Sequence, residues 1–113
     1  MNLPKELRLK SFEVLLLKTK YPDKSATSSY LKLKFYSNET TKFTFIVGKK
    51  FLSKSTDRNF LRRHIKATLY KKYTSLELLK GHYVFIVKDT LKKEDLTNEK
   101  ISFEINKVLS KIS

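Results

Sequence analysis

Between Asp57 and Lys72 the chain carries Arg58, Asn59, Arg62, Arg63 and Lys66. These residue types at these intervals suit the holding of phosphate rather than the breaking of bonds. The planar guanidinium fork matches two phosphate oxygens at once. At about 100° per residue the five share one sector of a helix, while Leu61, Ile65 and Leu69 occupy another. Ser55, Thr56 or Asp57 supplies the cap, and the helix N-terminus adds unpaired backbone N–H groups and the positive end of the dipole. A basic helix face is commonly no more than solvated surface. Here arginine stands where lysine would suffice, and hardly any acidic residue balances it. One side of the helix is built for burial and the other for an anion longer than a single phosphate.

The remaining candidates are weaker. Lys49 and Lys50 close a strand, where lysine often serves only to protect an edge. They gain weight because a short linker from Phe51 returns the chain to the helix N-terminus. Tyr30, Lys32, Lys34 and Tyr36 interleave aromatic and basic side chains, as a single-strand stacking platform does. An ordinary solvent-facing strand with β-favouring tyrosines explains them equally well. His64 packs on or beside the basic helix and His82 belongs at a strand edge. Neither has a partner at ligand spacing, so no metal site is expected. Asp89, Glu94 and Asp95 read as turn and solvation residues in a lysine-rich loop. With no cysteine and only Gly48 and Gly81 as glycines, the chain has neither a thiol nucleophile nor a glycine-rich phosphate loop. A nuclease acting by its own side chains is not expected.

These residues need a scaffold. A first helix is expected from about Leu9 to Lys18, with Phe12, Leu15 and Leu16 on a common face. Tyr21 to Ser29 reads as a loop with room for a short strand. Tyr30 to Tyr36 alternates, Leu31, Leu33 and Phe35 facing one way and Tyr30, Lys32, Lys34 and Tyr36 the other. After a turn at Ser37 to Thr40, Lys42 to Val47 gives a second strand, expected to pair antiparallel with the first because the connection is short. Tyr83 to Val87 is an apolar, β-branched run suited to the centre of a sheet. A last helix begins near Thr97, with Leu96 and Ile101 at staple spacing across its cap. The expected class is α+β, a small single-domain sandwich over residues 1–113 in the order α-β-β-α-β-α, or α-β-β-β-α-β-α with the extra strand.

Composition agrees with the site. Lys+Arg number 25 against 11 Asp+Glu, a formal net charge of +14 on 113 residues. Such an imbalance favours a polyanionic partner, nucleic acid before an anionic membrane surface. Hydrophobic residues at 40% support a folded domain rather than a basic tail. The charged N-terminus excludes a signal peptide, and no apolar run approaches the roughly 20 residues of a membrane span. A soluble, cytoplasmic domain follows as the expectation.

Ile46-Val-Gly-Lys49-Lys50, the linker from Phe51 to Asp57, and Arg58-Asn59-Phe-Leu-Arg62-Arg63-His-Ile-Lys66 together resemble the protein subunit of bacterial ribonuclease P. The short first helix with Phe12, the apolar strand Tyr83 to Val87 and the terminal helix match as well. The resemblance implies a sandwich whose βαβ crossover is left-handed, against the usual rule. It implies that a large RNA partner performs the Mg²⁺-dependent removal of the 5′ leader from precursor tRNA, the protein itself binding no cofactor. On this resemblance Lys49, Lys50, Arg58, Asn59, Arg62, Arg63 and Lys66 contact the catalytic RNA. Phe12, with Tyr30, Lys32 or Lys34, lines a cleft for the single-stranded leader. No membrane and no obligate protein partner is implied. Two other readings stay open on sequence grounds: a structural RNA-binding protein of ribosomal type, and an independent enzyme using a carboxylate among Asp57, Asp89, Glu94 and Asp95.

Overall fold

In the computed structural model, which describes residues 7–17, 19–47, 55–75, 78–88 and 91–112, the apolar run Gly81–Val87 (β4) lies inside the sheet. Its neighbours are Leu31–Ser37 (β2) and Lys42–Val47 (β3), and the short strand Lys24–Thr27 (β1) lies beyond β2, giving the order β1-β2-β4-β3. The helices are Ser11–Leu17 (α1), Ser55–Thr74 (α2) and Asn98–Ile112 (α3). The room left for a strand in the first loop is taken by β1.

The expected antiparallel pairing of β2 with β3 is not what the chain adopts. Strand β4 inserts between them, antiparallel to β2 (Leu33 opposite Phe85) and parallel to β3 (Phe45 opposite Phe85). The physical reason lies in burial. A strand with apolar residues on both faces must be covered on both, and only a central position allows that. The amphipathic strands β2 and β3 take the flanks, and α2 becomes the crossover between parallel β3 and β4.

One face of the sheet carries the main core. Leu31, Leu33 and Phe35 of β2, Tyr83, Phe85 and Val87 of β4, and Phe43 of β3 meet Leu61, Ile65 and Leu69 of α2 and Ile101, Ile105 and Val108 of α3. Helix α3 packs over β1 and β2 and against α2, whose Leu61, Ile65 and Leu69 join the same core. Thr97 caps α3, its Oγ1 accepting from Lys100 N–H at 3.2 Å, and Leu96 and Ile101 both enter the core.

The opposite face holds a second, smaller cluster of Leu17, Tyr36 and Val84, joined by Leu9 and Ile86. Helix α1 is short, and among its described side chains only Leu17 is buried. Phe12, Leu15 and Leu16, the common face seen in the sequence, are each 60% exposed. Glu13 compensates in two ways. Its Oε1 accepts from Lys10 N–H at 3.1 Å, half of a capping box, and its Oε2 pairs with Lys42 Nζ at 3.2 Å, tying α1 to β3. The backbone bond first, and Lys42 with it, holds the Glu13 carboxyl below its ordinary range.

Candidate nucleic-acid interface

Helix α2 behaves as its spacing predicts. Leu61, Ile65 and Leu69 are fully buried, Asn59 and Arg63 are exposed, and Arg58, Arg62 and Lys66 are half-buried where the two sectors meet. Half-burial of a long cationic side chain places its stem on apolar surface and its head in water. Asn59, Arg62, Arg63 and Lys66 line one depression of about 380 Å³, and none has a carboxylate partner among the described residues. Phe60 does not join them. Its ring lies 4.2 Å from that of His64, and it packs against the core edge with Leu96. Asp57 lies within the first turn rather than at the cap, where its charge suits the helix dipole. Lys49 and Lys50 fall outside the described residues.

The second part of the site is the sheet face under α1. Register places its side chains in rows. Lys32 stands opposite Ile86, which stands opposite Ile46; Lys34, Val84 and Thr44 form the next row. Tyr36, His82 and Lys42 form a third, which α1 covers through Leu17 and the Glu13–Lys42 pair. Lys32 and Lys34 are half-buried, so the floor offers two cations flanked by Ile86 and by the exposed Ile46. Sequence reasoning missed Ile46, Ile86 and Thr44 as floor residues. The alternation of Lys42 to Val47 carried that signal, but the wrong strand partner concealed it.

Two expectations require correction. Tyr30 does not share a face with Lys32 and Lys34. It precedes β2 in a bend, and its ring turns into the α3 side of the core, 2% exposed. Its hydroxyl has no hydrogen-bond partner among the described residues, and burial, with Glu104 and Asp95 nearby, raises its pKa well above the phenol range. Such a ring offers no stacking surface. His82 is likewise not at an edge. It lies on central β4 beneath α1, 8% exposed, with Nε2 3.3 Å from Thr40 Oγ1, and burial lowers its pKa. Phe12 stays exposed on α1.

The structure thus carries a cation row on a helix and, on the opposite face of the sheet, a basic floor under a second helix. The sequence matches the Ribonuclease P family over residues 3–113. The chain belongs to the ribonuclease P protein family. No curated protein matches it closely enough to add to this. The fold is similar to that of the Staphylococcus aureus RNase P protein, at 19% identity and a TM-score of 0.76, over 94% of either chain. It also resembles the RNase P protein from Thermotoga maritima, at 22% identity and a TM-score of 0.72, over 94% of this chain and 97% of that one. Ribonuclease P processes tRNA as a ribonucleoprotein, and family membership makes ribonuclease P RNA the partner of this subunit. Membership also separates this chain from the ribosomal-type alternative. Among the described residues no helix is long and apolar enough to cross a membrane, and no group of three His, Asp or Glu converges as metal ligands would.

Proposed function

We propose that this chain is the non-catalytic, RNA-binding subunit of a ribonuclease P holoenzyme. It binds the catalytic RNA through the α2 cations and guides the 5′ leader of precursor tRNA across the sheet face under α1. The observation that carries this reading is the row Asn59, Arg62, Arg63 and Lys66, gathered in one depression with no carboxylate partner among the described residues. Grouped like charges cost energy in the free protein, and a phosphodiester backbone is the ligand that offsets that cost repeatedly along a line. Arg58 extends the row toward the helix start; Lys49 and Lys50, outside the described residues, are proposed as RNA contacts from the sequence resemblance.

For the leader, the floor supplies Lys32 and Lys34 as phosphate guides. Ile46 and Ile86 form an apolar surface on which bases can rest, and the exposed Phe12 is the available aromatic. Tyr30 has no part in this reading. Mg²⁺ acts with the RNA, where the phosphate ligands are; the protein's share is positioning and charge neutralisation.

The test is cleavage of precursor tRNA at low Mg²⁺ by ribonuclease P RNA alone, by the protein alone, and by the two together. Efficient release of the 5′ leader only from the mixture is the expected result. Arg62→Ala should weaken RNA binding and the gain in cleavage together. Cleavage by the RNA-free protein, or an Arg62→Ala holoenzyme indistinguishable from wild type, would overturn the assignment.

A further inference from the structure

Helix α3 turns one charged residue into the protein. Ile101, Ile105 and Val108 form its core stripe, and Glu104, beside Ile105, is only 5% exposed. It is the one buried carboxylate among the described residues, and its Oε2 has no hydrogen-bond partner there. The Tyr30 hydroxyl is the other buried side-chain oxygen left without a partner. The two groups share a wall. Tyr30 and Glu104 both line a depression of about 420 Å³, formed by the bend before β2, the short 3-10 turn Lys93–Asp95 and the first half of α3. A buried oxygen that meets no donor is costly, most of all on a carboxylate, so this wall calls for a donor that serves both.

The surroundings fix the charge of that donor. Asp95 and Glu99 line the same depression, and no cation pairs with Asp95, Glu99 or Glu104 among the described residues. Asp95 Oδ2 accepts from Lys92 N–H at 2.9 Å, which orients the carboxylate without neutralising it. Lys100 lines the depression too, but its Nζ donates to the Glu94 carbonyl at 3.1 Å. Three carboxylates against one ammonium make a locally anionic wall on a chain of net charge +14. The space is far larger than a bare ion needs and falls in the range of about 300–1,000 Å³ found for small-molecule sites. No group of three His, Asp or Glu converges as metal ligands would among the described residues. Phe103, 65% exposed, adds an aromatic ring to the lining, and such a ring attracts an organic cation.

We propose that this depression binds a small organic cation, an alkylammonium whose N–H groups donate to Glu104 Oε2 and the Tyr30 hydroxyl while its methylenes lie against Phe103. An ammonium carries three donors and no acceptor, which suits a wall whose unmet groups can accept. Asp95 and Glu99 supply the field that draws the charge in. The depression shares no residue with the one that gathers the α2 cations, so the proposal stands apart from RNA binding. The same chemistry describes a free alkylamine and the lysine side chain of another protein.

The test is an NMR titration of the RNA-free, full-length protein, followed at the Tyr30 and Phe103 rings. At about 0.15 M KCl the screening length is roughly 8 Å, so the net positive charge no longer masks a local anionic site. Butane-1,4-diamine should shift both rings saturably, and butane-1,4-diol, of the same length but uncharged, should shift neither. N-acetyl-lysine methylamide separates the two sources: tighter binding of the diamine assigns a free amine, tighter binding of the lysine derivative a protein side chain. Glu104→Gln keeps the shape, removes the charge and should weaken diamine binding about tenfold or more. Glu99→Gln, at an exposed position that leaves the core intact, should weaken it about threefold. Glu39→Gln, an exposed carboxylate outside the depression, should change nothing. Absent ring shifts, equal shifts with the diol, or wild-type affinity in both Glu104→Gln and Glu99→Gln would overturn the site. Displacement of the diamine by an equal concentration of MgCl2 would also overturn it, since the depression would then be a general counter-ion surface.

Discussion

Tyr30 shows how one residue's position decides its chemistry. Counted as the first residue of an alternating strand, it belongs with Lys32 and Lys34. Because β2 starts one residue later, the bend at Ser29 and Tyr30 sends the ring to the opposite side. Parity arguments hold only inside a strand, and a sequence does not announce the first residue to which they apply. The hydroxyl is buried without a partner among the described residues, so its desolvation is uncompensated there. Tyr30→Phe is therefore expected to stabilise the protein by about 1 kcal/mol, measured by chemical denaturation, with RNA affinity unchanged. Loss of stability in this variant would show that the hydroxyl is bonded after all. The phenols also set the alkaline limit. Burial raises the pKa of Tyr30, and pushes that of Tyr83 up to about 12. A folded-state pKa above the unfolded value gives stability that is complete below about pH 10 and lost as pH rises through the folded pKa. Thermal melts should therefore drop from pH 10 upward, and drop less steeply in Tyr30→Phe.

At the level of elements, apolar periodicity was enough to read α2, β2, β4 and α3, because each has one dominant face or none. Pairing was harder. Adjacency in sequence argued for a β2–β3 hairpin, while the composition of β4 argued that it must be central, and burial decided in favour of β4. Helix α1 was legible as a helix but not as a docked one. Its most apolar face, Phe12, Leu15 and Leu16, stays exposed, and a single leucine with one ion pair holds it. The α2 cation row was legible because all of its members lie within three turns. The row of Lys32, Ile86 and Ile46 was not, because it depends on strand register. Gly81 marks where β4 enters the centre. A Cβ built there would lie 2.6 Å from Phe35 Cε1 and 2.6 Å from the Tyr36 carbonyl oxygen. The backbone contact cannot yield as a side chain can. Gly81→Ala should cost about 1–3 kcal/mol by overpacking, read from the denaturation midpoint. A near-neutral result would mean that β4 and β2 separate easily at this end of the sheet.

The whole molecule sets salt against itself. A formal charge of +14 is carried by a body of 36 × 30 × 26 Å. At about 0.01 M salt the screening length is roughly 30 Å, so each cation repels nearly every other; at about 0.1 M it is roughly 10 Å, and the repulsion becomes local. The melting temperature of the free protein should therefore rise with KCl, most of the gain coming below about 0.1 M. RNA affinity must move the other way. About five cations, each neutralising one phosphate, give a slope of log affinity against log salt of roughly −3 to −5. The two trends have one source, since the charges that strain the empty fold are the charges the RNA neutralises. Calorimetric melts and binding isotherms over the same KCl series test both. A melting temperature that falls with salt would mean that ion pairs, not repulsion, dominate the free protein. A slope shallower than about −2 would mean that the α2 row does not track a phosphate backbone.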